Sequence, residues 1–180
     1  MRVITGKARG VALKTPDGMT TRPTTDRVKE ALFSIIQFEI PGARVLDLFG
    51  GTGQLGIEAL SRGAASAVFV DAGEPACRLI RENLKRTRLE AQAKVIRSDY
   101  LDYLRRCRET FQIIFLDPPY AEVFLENDLN CITEIDILQS GGIIVAERPV
   151  GKDLPWEFPG YQRSRDYKYG KTLLTVYRKL

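Results

Sequence analysis

From residue 43 onward, short apolar runs and amphipathic stretches take turns along the chain. "ARVLDLF" (43–49), "SAVFVD" (66–71), "AKVIRSD" (93–99), "FQIIFLD" (111–117) and "GGIIVAE" (141–147) are short and mostly apolar, and they read as strands. The fourth is almost continuously apolar, as a strand covered on both faces should be. "GQLGIEALSRG" (53–63), "EPACRLIRENLKRT" (74–87), "YLDYLRRC" (100–107) and a stretch near 123–137 read as helices between them, the first closed by Gly63. Such alternation predicts a parallel sheet with helices on both faces. "YQRSRDYKYGKTLLTVYRK" (161–179) reads as two further strands turning at Tyr169-Gly170-Lys171. The predicted fold class is therefore α/β: a doubly wound, mostly parallel seven-stranded sheet with a C-terminal antiparallel hairpin.

The first 40 residues follow a different pattern. "VITGKARGVALKTP" (3–16) predicts a small β-hairpin around Lys7-Ala8-Arg9-Gly10. "TRPTTDRVKEALFSII" (21–36) predicts a helix with Pro23 near its start and Thr24 or Thr25 as cap. Its apolar face is Val28, Ala31, Leu32 and Ile35 or Ile36, and Pro41-Gly42 ends it. With no internal repeat or low-complexity tract, the 180 residues suffice for one domain over 1–180, with 1–40 as an N-terminal extension.

The unusual residues fall at strand ends. Asp47, Asp71, Asp99 and Asp117 close four strands, at the carboxyl edge where open α/β sheets bind ligands. "DLFGGTGQLG" (47–56) follows the first strand and opens a helix. Gly51, Gly53 and Gly56 fit G-x-G-x-x-G in the strand–turn–helix context the pattern requires. Asp71, twenty positions after Gly51, stands where an acid binds ribose hydroxyls. A dinucleotide and S-adenosylmethionine both remain open as ligands. Asp47 favours the second, because a carboxylate at the mouth of the loop repels a pyrophosphate but suits a cationic amine and a sulfonium. Asp99 and Tyr100 are placed to meet the adenine, although Asp99 serves equally well as the cap of the helix that follows. "FLDPPY" then sets Asp117 and Tyr120 around Pro118 and Pro119, a turn with neither backbone donor and with φ fixed twice.

Composition narrows the chemistry. The chain is 44% apolar and 28% charged, ordinary for a soluble globular protein. It contains no histidine, which excludes Ser-His-Asp and Cys-His catalysis and histidine-ligated metals. Cys77, Cys107 and Cys131 lack paired spacing and predict buried thiols rather than zinc ligands or disulfides. "MRVITGKARG" has no apolar signal region, and no run approaches the roughly 20 apolar residues of a membrane span. A cytoplasmic protein that uses neither metal nor membrane is expected. The net charge of +4 is compatible with an anionic partner. Arg2, Lys7, Arg9, Lys14, Arg22, Arg27 and Lys29 bunch at the N-terminus, in segments with turn chemistry. A second bunch, Arg78, Arg81, Lys85, Arg86 and Arg88, reads as a solvated helix face.

"VLDLFGGTG", "FVD", "RSD" and "DPPY" together resemble the class I, Rossmann-like S-adenosylmethionine-dependent methyltransferases, and DPPY resembles the motif of those that methylate exocyclic amines of bases. "RPTTDRVKEALFSII", "IEALSRGA" and "YGKTLLTVY" narrow the resemblance to the RsmD family, which methylates the 2-amino group of a guanine in bacterial 16S ribosomal RNA. The resemblance runs from about Val3 to Tyr177. The loop departs from the family's usual Ala-Gly-Ser-Gly-Ala, with Gln54 as its last residue, and Lys171 stands where an acid is common. The resemblance implies S-adenosylmethionine as cofactor, held by Asp47, Phe49, Gly51, Gly53, Asp71, Asp99, Tyr100 and Thr24. It implies catalysis by Asp117, Pro118, Pro119 and Tyr120, with Arg22, Arg27 and Tyr120 on the RNA. The partner is then 16S ribosomal RNA, free or in an assembled or assembling small subunit. A DNA adenine methyltransferase, a nicotinamide-dependent oxidoreductase and an inert RNA-binding module are the competing readings.

Overall fold

The computed structural model describes residues 1–17, 26–118, 121–151 and 153–180, with the backbone alone for 121–124. Its helices are α1 (Asp26–Ile35), α2 (Gln54–Ser61), α3 (Glu74–Thr87), α4 (Tyr100–Arg106) and α5 (Ala121–Ile135). Its strands are β1 (Arg44–Asp47), β2 (Ser66–Asp71), β3 (Ala93–Arg97), β4 (Phe111–Leu116), β5 (Leu138–Pro149), β6 (Glu157–Phe158), β7 (Tyr161–Tyr169) and β8 (Thr172–Lys179). They form one sheet in the order β3-β2-β1-β4-β5-β8-β7-β6. β1 to β5 run parallel, and β8, β7 and β6 close the sheet in antiparallel fashion. The predicted seven strands are all present, and β6 adds a two-residue edge.

Alternation along β4 explains the layering. Ile113 and Phe115 face one core, with Phe33 of α1, Ile57 of α2 and Ile80 of α3. Ile114 and Leu116 face the other, with Leu104 of α4 and Leu129 of α5, and Phe111 joins them from before the irregularity between Phe111 and Ile113. A strand buried on both sides has no polar face to display, hence its unbroken apolar run. Each large side chain fully buried in these cores contributes roughly 1.5–3 kcal/mol. β1, β2 and β3 spread to one side and β4 and β5 to the other, so the strand order reverses between β1 and β4. That switch point opens a crevice above the carboxyl ends of the strands.

Two elements differ from expectation. The N-terminal hairpin holds only one isolated ladder bridge, Arg2 to Ala12, closed by Val3 N donating to Val11 O and Gly10 N to Val3 O. Turn bonds such as Arg9 N to Gly6 O and Leu13 N to Met1 O complete it, and other amides go to the domain. Glu58 of α2 accepts from the Ile4 and Thr5 amides at 2.8 and 3.0 Å, and Ser61 accepts from the Ala8 amide at 3.0 Å. β5 starts at Leu138, before the predicted glycine pair. A Cβ on Gly142 would lie 2.8 Å from Gln139 O and 2.9 Å from Gln112 O, so the irregularity in this strand admits only glycine. The predicted helix start and its Thr24 or Thr25 cap lie outside the described residues, and the helix ends at Ile35, before Pro41-Gly42.

Candidate active site

The glycine turn rises from the end of β1. Gly53 carries φ +79° at the N-terminus of α2, a left-handed conformation that side chains resist. Gly56 is required for a different reason: a Cβ there would lie 2.3 Å from the Phe69 ring of β2. Its amide donates to Asp47 Oδ2 at 3.1 Å. Asp47 therefore sits beneath the loop, buried, and ties the first turn of α2 to β1. Asp71 binds the loop from the other side. Its Oδ2 accepts from the Gly51 amide at 3.0 Å and its Oδ1 from the Gly73 amide at 2.8 Å. Gly50 N also donates to Val70 O at 3.0 Å, so β2 holds the turn at two points. Each carboxylate oxygen of Asp71 has a second lone pair for a ligand.

Asp117 follows β4 directly. β4 is the hydrogen-bonded neighbour of β1, with Asp47 opposite Phe115, and Leu48 N donates to Phe115 O at 3.2 Å. The glycine turn and Asp117 thus leave adjacent strands at the switch point. Asp117 is half-buried and Pro118 buried. Burial raises the Asp117 pKa to about 8, helped by the negative charges of Glu147 and Asp47. Burial likewise raises Asp47 to about 7; the Gly56 amide opposes this and the charge of Asp71 adds to it. Glu147 was missed by sequence reasoning. It follows Ala146, the partner of Leu116, so it stands beside Asp117. The signal was available, since Glu147 ends its apolar strand in an acid, as four others do.

Beyond β3, the Phe49 and Tyr100 rings meet at 5.1 Å between centroids and wall the crevice. Asp99 Oδ1 accepts from the Leu101 and Asp102 amides at 2.9 and 3.3 Å, so it caps α4. Cap and adenine contact are compatible, because the cap employs one oxygen. Burial raises the Tyr100 pKa beyond its ordinary range, as does its neighbour Asp128, a fully buried acid of α5. Burial raises Asp128 itself to about 6.

Arg27 is exposed in the first turn of α1. Arg22, Thr24, Pro119 and Tyr120 lie outside the described residues. The structure thus brings together Asp47, Phe49, Gly51, Gly53, Asp71, Asp99, Tyr100, Asp117 and Pro118 at one edge of the sheet. What it offers there is a cluster of acids beside an aromatic pair, a set suited to a cationic, ribose-bearing ligand. Among the described residues no group of three or more His, Cys, Asp or Glu is placed to hold a metal ion, and no helix is long and apolar enough to cross a membrane.

Comparison with known proteins adds an independent line. The family model described as "Conserved hypothetical protein 95" matches residues 1–178. A Bacillus subtilis protein named "Putative rRNA methyltransferase YlbH" is 44% identical over 182 residues, covering 99% of each chain. "Ribosomal RNA small subunit methyltransferase D" of Escherichia coli K12 is 33% identical over 179 residues, covering 99% of this chain and 90% of that one. The solved structure of "Putative methyltransferase yhhF" from Escherichia coli superposes with a TM-score of 0.89 at 31% identity, over 99% of this chain and 97% of the other.

Proposed function

The chain belongs to the Conserved hypothetical protein 95 family, that of the RsmD methyltransferases, and from that premise we propose that it methylates 16S ribosomal RNA. The methyl donor in this reading is S-adenosylmethionine and the acceptor is the exocyclic 2-amino group of a guanine. The observation that carries the reading is the departure of the glycine turn and Asp117 from hydrogen-bonded neighbouring strands at the switch point.

The cofactor supplies a methyl group on a sulfonium, which leaves as a neutral thioether. The chain's residues do the rest. Asp71 receives ribose hydroxyls, Phe49 and Tyr100 flank the adenine with Asp99, and Asp47 faces the cationic end beneath the loop. The guanine amine is a poor nucleophile because its lone pair is delocalised into the ring. Asp117 accepts one of its hydrogens and the Pro118 carbonyl the other. This pair of contacts favours a pyramidal nitrogen with its lone pair aimed at the methyl. Held there, the cofactor would present its methyl group to the amine nitrogen, and the ionised Asp117 carboxylate, favoured by the nearby cation, would hold the amine hydrogen that the nitrogen gives up. Positioning and electrostatics account for the rate. Tyr120 stacking on an extruded base and Arg22, Arg27 and Thr24 at the ligands complete the proposal.

The test is to incubate the protein and methyl-labelled cofactor with 16S RNA, free and in assembled small subunits, and to digest the product to nucleosides. Label in N2-methylguanosine at one position is the expected result. Label in adenine, in DNA alone or in nothing would sink the reading.

A further inference from the structure

β7 presents a surface that neither folding nor the proposed methyl transfer accounts for. β8 pairs along one side of it, while β6 covers only its Tyr161–Gln162 end, so Arg165 to Tyr169 form an outer edge. Arg165, Tyr167 and Tyr169 alternate and therefore share a face. The two tyrosines are half-buried against the core that includes Phe33 of α1, and the Arg165 guanidinium lies 5.5 Å over the Tyr167 ring. Arg165, Lys168 and Lys171 are exposed. The one acid of this stretch, Asp166, is committed to Arg148, Arg163 and Thr175. Among the described residues the three exposed cations have no carboxylate partner. Lysines on an edge strand also discourage aggregation. That purpose explains Lys168 but not a basic residue and two rings on one face.

The stripe lies in register with the crevice. Tyr167 pairs with Leu174, Leu174 with Glu147, and Glu147 stands beside Asp117. This row crosses three strand spacings, about 14 Å, so a strand of RNA with one base at Asp117 reaches β7 within a few nucleotides. We propose that Arg165, Tyr167 and Tyr169, with Lys168 and Lys171, bind the single-stranded RNA that flanks the target guanine. Bases stack on the rings, and phosphates meet the cations. The proposal rests on the RNA methylation reading and deepens it.

The full-length protein is titrated with a fluorescent single-stranded RNA of about 12 nucleotides and with its duplex, at several salt concentrations. Arg165→Glu/Lys168→Glu/Lys171→Glu tests the charges at exposed positions. Tyr167→Leu/Tyr169→Leu removes the rings while keeping apolar volume, and melting curves check that both variants fold. Wild type should prefer the single strand. The ring variant should lose about tenfold in affinity or more. The charge variant should lower the salt slope by about 2. Cofactor affinity should not change in either. Equal binding of duplex and single strand, or variants that bind RNA as wild type does, would overturn the inference, as would a protein partner captured on β7 with RNA binding intact. If wild type methylates RNA while the variants match it throughout, this inference alone fails. If RNA binding maps to β7 but no RNA is methylated, it stands and the methylation reading fails.

Discussion

Asp47 and Asp117 are held where their protonated forms are favoured, with burial as the leading cause for both. A cationic ligand reverses that preference, because a positive charge nearby stabilises the carboxylates. Binding of S-adenosylmethionine against Asp47 should therefore release protons near pH 7, and affinity should rise with pH up to about 7. Titration calorimetry in two buffers of different ionisation enthalpy measures this; affinity independent of pH across that window would contradict it. Asp71 has the complementary part. Its two oxygens pin the Gly51 and Gly73 amides, so Asp71→Ala should weaken cofactor binding by about tenfold or more. The transfer rate of the bound complex should change little, which single-turnover kinetics at saturating cofactor will read.

At the scale of elements, the N-terminal arm is latched to α2 through a buried ion pair. Lys29 and Glu58 are both fully buried, 3.6 Å apart, and Lys29 Nζ also donates to Arg2 O. Burial lowers the Lys29 pKa, and Glu58 opposes that shift. Removing one member leaves a buried charge uncompensated, so Glu58→Ala should cost about 3–5 kcal/mol by urea unfolding. A loss under about 1 kcal/mol would mean the latch is not energetically important. Gly56→Ala should also destabilise, since its Cβ meets a ring packed in the core. Elements whose signal is local were legible in the sequence: β4 from its apolar run, the glycine turn from its spacing, and the β7–β8 turn from Gly170. The arm's hairpin turn and helix were legible too, but its docking was not, because the bonds that fix it go to Glu58, Ser61 and Asn83, more than 50 residues away. Neither was the two-residue β6, too short for any period to show. The start of β5 was hidden because the glycine pair that reads as a boundary lies inside the strand.

Over the whole molecule, strand order converts a row of separate sequence signals into one crevice. Asp47, Asp71, Asp99 and Asp117 could be read as strand-end acids. That Glu147 joins Asp117, and that Asp47 lies under the loop rather than open at its mouth, depends on register and burial, which no local pattern carries. Burial of these acids has a global consequence. Asp47, Asp117 and Asp128 have raised pKa values, so the folded state keeps protons that the unfolded chain releases. Their contribution to stability is full near pH 4 and falls as pH rises towards 8. Without ligand, Asp117→Asn should gain melting temperature relative to wild type as pH increases from about 5 to 8, by calorimetry; a difference that shrinks with pH would refute this. The central claim is that Asp117 acts on the amine held against the methyl donor, and the transfer rate of Asp117→Ala measured beside its cofactor affinity tests it most directly. The account predicts a loss of about 100-fold or more in single-turnover rate with cofactor affinity within a few-fold of wild type. An undiminished rate, or a loss explained wholly by weaker cofactor binding, would contradict it.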